Sequence, residues 1–229
     1  MNSSCYQLRI SSKAKHARIT IKPSRQIEVV LPLGMPKREA DRLVKQQRNW
    51  IKRTLARMQQ QAPVMSSALP ACIELPAIGK QIQVDYVAKQ RKPLIWNQEA
   101  LQLLICSDQA CVPELLRSWL KGYAKEHLPA LLEKTASEMP VAYRAVSIRL
   151  QKSRWGSCSM LGNISLNAKL LLLPLEVVRY VLVHELSHLE HMNHSTDFWQ
   201  YVERFEPSYR TRKHELRQLS MALPLWLYD

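Results

Sequence analysis

Hydrophobic and polar positions alternate through the first 36 residues, the two-residue period of strands half-buried in a sheet. Ala17, Ile19 and Ile21 share one face and Ile27, Val29 and Leu31 share another, with Pro23-Ser24 as the turn between them. This pattern predicts a small antiparallel sheet. From Pro36 the period lengthens. Ala40, Leu43, Val44, Trp50, Ile51, Leu55 and Met58 fall on one side of a helix running to about Gln60, and Lys45, Arg48 and Lys52 lie together on another side. Gln59 to Pro63 and Met65-Ser66-Ser67 break both periods and read as a connector. Strands resume over 81–87 and 100–106. Residues 113–138 carry a long helical pattern in which Pro129 is expected to kink the helix or divide it. A strand near 146–150, the segment 154–159, a Gly162-Asn163 turn and a short strand over 164–167 follow. Helices are then predicted over 174–192, 194–205 and 207–219. The order implies an α+β chain. It divides into a strand-strand-helix region (1–60), a linker and β-rich segment (61–111) and a helix-rich remainder (112–229).

Charge adds a second division. The net charge is +14, yet residues 1–60 hold 14 Lys and Arg against three acids, Glu28, Glu39 and Asp41, and so carry +11 of it. A one-sided field of this kind suits a polyanion such as nucleic acid, and equally a solvated sheet face. The 46% hydrophobic content argues against disorder. The longest apolar runs, 170–175 and 177–183, fall far short of the roughly 20 residues of a membrane span. The first residues lack the charged-then-apolar order of a secretory signal. Five cysteines without a C-x-x-C pair fit free thiols in a reducing compartment. Together these features predict a soluble cytoplasmic protein with no membrane partner.

Candidate chemistry gathers late in the chain, where His184, His188, His191 and His194 lie within eleven residues. Two histidines four apart on a helix sit on one face, one turn apart, and can aim at one ion. Glu185, about 100° round the helix, falls beside such an ion, where a carboxylate can take a proton from water. This is the H-E-x-x-H arrangement of zinc hydrolases. Val177, Val178, Val181, Leu182, Leu186 and Leu189 make the same helix apolar, so its polar residues need a reason to be there.

Catalytic zinc commonly has three protein ligands and one open position. His191 stays on the same face but lies about 10.5 Å along the axis from His184 if the helix continues. His194 follows Asn193, a residue suited to ending a helix, and is better placed to turn back. Glu203 and Glu206 are more remote acidic alternatives.

The segments Arg154-Trp155-Gly156-Ser157-Cys158-Ser159, Gly162-Asn163-Ile164-Ser165-Leu166-Asn167, His184-Glu185-Leu186-Ser187-His188-Leu189 and Asn193-His194-Ser195 with Phe198-Trp199 occur in that order. Together they resemble the YgjP-like metallopeptidase family, related to the SprT-like and minigluzincin zinc peptidases. The resemblance implies a zincin-like catalytic domain with an active-site helix, a short edge strand and flanking helices. It implies Zn2+ held by His184, His188 and His194, with Glu185 as general base and a peptide or protein as substrate. It also implies that Ile164 to Asn167 is the edge strand above the cleft, making Ser165 and Asn167 candidate substrate contacts. Arg154 is a candidate for stabilising the oxyanion. Gly156 is expected to permit a backbone bend or close approach.

Two other functions compete. The basic region 1–60 suits nucleic acid, and by resemblance to SprT-like proteins the two activities would combine in a protease acting on DNA-bound proteins. A closed structural zinc site would need a fourth ligand, for which His191 is the candidate. A serine or cysteine hydrolase built on Ser157 or Cys158 is disfavoured, because the segment lacks the second glycine of a G-x-S-x-G elbow.

Overall fold

The computed structural model describes residues 6–22, 25–61, 69–88, 91–106 and 111–228, with only the backbone of 57–61. The Pro23-Ser24 turn, the 62–68 connector and the side chain of Met58 lie outside the described residues. The chain forms two compact units, Met1–Ser66 and Ser67–Leu227. The β-rich segment expected over 61–111 therefore shares a unit with the helices that follow it.

In the first unit, strands β1 (Tyr6–Ser11), β2 (Arg18–Ile21) and β3 (Ile27–Pro32) form a sheet of order β1-β3-β2. The β2–β3 pair is antiparallel as the alternation predicts, setting Ile19 opposite Val29 and Ile21 opposite Ile27. β1 adds to the other edge of β3 in parallel, which alternation alone does not reveal. One face of the sheet packs Leu8, Ile19, Val29 and Leu31 against Ala40, Leu43 and Val44 of helix α1 (Arg38–Gln46). The single helix expected to Gln60 is instead α1 followed by α2 (Arg48–Gln61), because Gln47 leaves helical geometry at φ −95°, ψ 12°. Ile51 is buried while Trp50, expected on the same side, is exposed, because neighbouring residues of a helix stand about 100° apart around its axis.

The second unit opens with a four-stranded sheet of order β4-β5-β7-β6, built from β4 (Cys72–Leu75), β5 (Lys80–Val87), β6 (Leu94–Asn97) and β7 (Gln102–Cys106). Trp96 of β6 packs edge-on to Tyr123 and tilted on Trp119, both from the long helix α3 (Val112–Ser137). That helix is continuous through Pro129, so of the two expected outcomes, a kink or a division, the division does not occur. The carbonyl that Pro129 leaves without its helical partner belongs to Lys125, an exposed residue, and buried Leu128 and Leu132 hold the helix on either side.

A three-stranded sheet, β8 (Ala145–Arg149), β9 (Gly156–Cys158) and β10 (Asn163–Asn167), carries the predicted motifs. Its order is β8-β10-β9, which corrects one expectation. The strand over 164–167 is central rather than an edge, because it pairs with β8 in parallel and with β9 through the tight turn at Gly162 (φ +72°). The edge strands are β8 and β9. Three helices complete the unit: α4 (Leu175–Ser187), α5 (Thr196–Phe205) and α6 (Tyr209–Ala222). Of the two edge strands, β9 is the one packed beside α4. Arg179 of α4 donates to the carboxylates of Glu138 (2.7 Å) and Glu206 (2.8 Å) and to the carbonyl of Phe205 (2.8 Å), tying the end of α3 to the end of α5. Among the described residues, no helix is long and apolar enough to cross a membrane.

Candidate metal centre

Val178, Val183 and Leu186 of α4 are fully buried, and this anchoring fixes which way its polar residues point. The helix ends at Ser187 with His188 as its cap residue, five residues earlier than the periodicity suggests. Ser187 accounts for the early stop. Its carbonyl accepts the N–H of both Glu190 (3.2 Å) and His191 (3.0 Å), curling the chain into a turn. The side chain of Asn193 then accepts the N–H of Ser195 (3.2 Å), and the Ser195 hydroxyl accepts the N–H of Phe198 (3.4 Å) to start α5. Between these two caps His194 is folded back over α4.

The result is convergence. One ring nitrogen from each of His184, His188 and His194 lies within 4.8 Å of the others, and the Nε2 atoms of His184 and His194 are 3.1 Å apart. Tetrahedral zinc with nitrogens at about 2.0–2.1 Å separates its ligands by about 3.3 Å, so the set has the right size and chemistry for zinc. The Nδ1 atom of His188 lies 3.0 Å from the carbonyl of His191, a contact that protonates Nδ1 and leaves Nε2 free to ligate. His191 thus serves through its backbone, and its ring packs on Tyr201 instead. Glu203 and Glu206 are paired with Arg210 and Arg179 and stand outside the cluster. Burial first, then the charges of His188, His194 and Lys213, pushes the His184 imidazole down to about 3, so it stays neutral as ligation requires.

Phe198 makes a floor that the sequence gives little reason to assign. It is fully buried, stacks on His188 at 4.6 Å between ring centres, and meets the rings of His184 and His194 edge-on at 5.0 and 4.8 Å. The advance signals are its place in the Phe198-Trp199 part of the last motif and its position three residues after the capping Ser195, and neither assigns it this role.

Glu185 faces β9. Its carboxyl is buried, and burial pushes it up to about 7 against the opposing pull of Arg154. The space it occupies exists because residue 156 is glycine. A Cβ there would fall 2.5–2.7 Å from the Cγ, Oε1 and Cδ atoms of Glu185. The expected close approach is therefore to the candidate base itself. Gly156→Ala must displace this carboxylate, and a misplaced reactive group costs about 10- to 100-fold in rate. The expected result is a fall in kcat of that order with metal content unchanged; wild-type kcat would show that the contact is not needed.

The structure gathers Arg154, Trp155 and Gly156 with Tyr180, His184, Glu185 and Leu216 around one cavity. It does not bring Ser165 or Asn167 there. The Asn167 amide donates to the carbonyls of Gln151 (2.9 Å) and Arg154 (2.7 Å) and its oxygen accepts the N–H of Lys169 (3.2 Å), so it pins the loop that presents Arg154. The Ser165 hydroxyl is buried on the middle strand with no hydrogen-bond partner among the described residues. Cys158 has its thiol pushed up by burial and then by Glu185, the opposite of what a nucleophilic thiolate needs.

Along β9, Trp155 accepts the N–H of Asn167 and Ser159 donates to Asn163. Alternation along the strand therefore turns the N–H and C=O of Gly156 and Cys158 away from β10, toward the open edge.

A family model agrees with this geometry. A family described as "YgjP-like, metallopeptidase domain" matches residues 15–219. A crystal structure of the metallopeptidase zymogen of Pyrococcus abyssi abylysin shares 27% sequence identity, at a TM-score of 0.38, over 42% of this chain and 98% of its own. No curated protein matches.

Proposed function

Because the chain belongs to the YgjP-like metallopeptidase family, we propose that it is a zinc peptidase in which Glu185 is the general base. The observation that carries this reading is the convergence of three imidazole nitrogens with one buried carboxylate beside them. His184, His188 and His194 would hold the ion. Bound there, zinc would supply Lewis-acid polarisation of the scissile carbonyl and of the attacking water. Glu185 takes the proton from that water and delivers it to the leaving nitrogen, a task suited to a carboxyl raised to about 7. Arg154, on the wall of the same cavity, places a fixed positive charge near the developing oxyanion. The open edge of β9 offers Gly156 and Cys158 for main-chain hydrogen bonds to an extended peptide.

The test is hydrolysis of an unfolded protein by purified chain loaded with zinc. We expect cleavage that a phenanthroline chelator abolishes and added zinc restores. Stoichiometric zinc without cleavage of any member of a broad peptide library would count decisively against a peptidase.

A second reading concerns the N-terminal unit, which we infer binds nucleic acid. All three of its acids are engaged: Glu28 pairs with Arg9 and Lys22, Glu39 with Arg42, and Asp41 accepts the hydroxyl of Tyr6. Lys45, Arg48, Lys52 and Arg53 have no carboxylate partner among the described residues, and they flank exposed Trp50, whose ring is available for stacking on a base. Affinity for single-stranded DNA should fall steeply as salt rises, and the paired change Lys45→Glu, Lys52→Glu should weaken it. Binding indifferent to both would eliminate this function.

A further inference from the structure

We propose that the cleft prefers substrates with an acidic side chain next to the scissile bond, with Lys213 as the residue that selects it. The proposal rests on the peptidase reading and adds a substrate class to it. On one wall, Arg154 is exposed and stands two residues before edge strand β9. On the other, α6 presents Leu216, which lines the same cavity as His184 and Glu185, and Lys213, three residues earlier on the same helical face. The Lys213 ammonium lies 4.3 Å from the centre of the Trp199 ring, and that ring is 5.7 Å from both His184 and His194. Lys213 is thus fixed at the rim of the metal centre, although it is exposed.

Charge completes the argument. Arg210 and Arg212, beside Lys213 on α6, are each neutralised by a carboxylate, Glu203 and Glu215. Arg154 and Lys213 have no such partner among the described residues. Among the described residues, Glu185 is the only acid lining the cavity, and in the peptidase reading it is committed to proton transfer. A bound dication would make the cleft more positive still. An extended peptide sends successive side chains to opposite sides, so one running along β9 can turn a side chain toward the Lys213 wall. An acidic side chain there meets an unneutralised ammonium, and a basic one is repelled.

The test uses zinc-loaded Glu185→Gln protein, which should hold peptides without cutting them. Fluorescence anisotropy compares peptides identical except for Glu, Gln or Lys beside the scissile bond, at low and high salt. We expect the Glu peptide to bind about tenfold more tightly than the Gln peptide and the Lys peptide to bind worst, with the spread shrinking as salt rises. Lys213→Glu, an exposed change whose folding circular dichroism checks, should reverse the order. Equal binding of the three peptides, no binding of any, or an order unmoved by Lys213→Glu would overturn the proposal. Wild-type protein that ranks the peptides as stated but cleaves none would leave this inference standing and remove the peptidase reading. Cleavage of all three at equal kcat/KM would do the reverse.

Discussion

Replacing Glu185 by Gln is expected to lower kcat for peptide hydrolysis about 10²- to 10⁴-fold, the usual contribution of a positioned general base, while zinc remains stoichiometric. Gln has nearly the same shape, so it can occupy the space that Gly156 leaves beside the strand. It cannot accept the proton. Metal content should hold because the nitrogen cluster consists of His184, His188 and His194, and Glu185 is not among the converging atoms. Metal analysis and steady-state kinetics on one preparation separate the two roles. A variant that kept wild-type kcat would remove Glu185 as base, and one that lost zinc would make it a ligand instead.

The proposed division between ligand and base is legible in the sequence because it is local. Four residues of helix are one turn and one residue is about 100°, so His184, His188 and Glu185 take their places from spacing alone. His194 is nearly as legible, since Asn193 and Ser195 carry the side chains that turn the chain back. The tight fit at Gly156 is foreshadowed by its lack of a Cβ, although its neighbour is not. What spacing cannot supply is the partner across space. The strand over 164–167 has an apolar pattern that suits an edge or a centre equally, and only pairing with both β8 and β9 makes it central.

Helix ends and faces show the same limit. Periodicity continues past His188, but the carbonyl of Ser187 takes up two later N–H groups and the helix stops. That early stop brings the His191 carbonyl to Nδ1 of His188. In the N-terminal unit, Trp50 stands about 100° round α2 from buried Ile51, which is why it faces outward. Pro129 errs the other way. A proline in a helix costs about 3 kcal/mol, yet buried Leu116, Leu120, Leu128 and Leu132 keep α3 continuous across it. Tertiary packing outweighs the local penalty there.

The change His194→Ala should abolish both zinc retention and peptide hydrolysis, and comparison with His191→Ala decides how the site is closed. His194 is exposed on the turn before α5, where its ring meets Trp199, Phe198 and the other two histidines. Its loss should leave apo stability close to that of wild-type apoprotein while cutting the nitrogen set from three to two, too few for a catalytic zinc site. The His191 side chain contributes nothing to the cluster. Its carbonyl orients His188, and that carbonyl survives the alanine change. His191→Ala should therefore keep stoichiometric zinc and most activity. If both variants lost zinc to dialysis, a four-histidine structural site would be the better account. If His194→Ala retained zinc, the third ligand would have to be sought elsewhere. Loss on His194→Ala alone leaves three protein ligands and an open fourth position, the coordination that a hydrolytic centre requires.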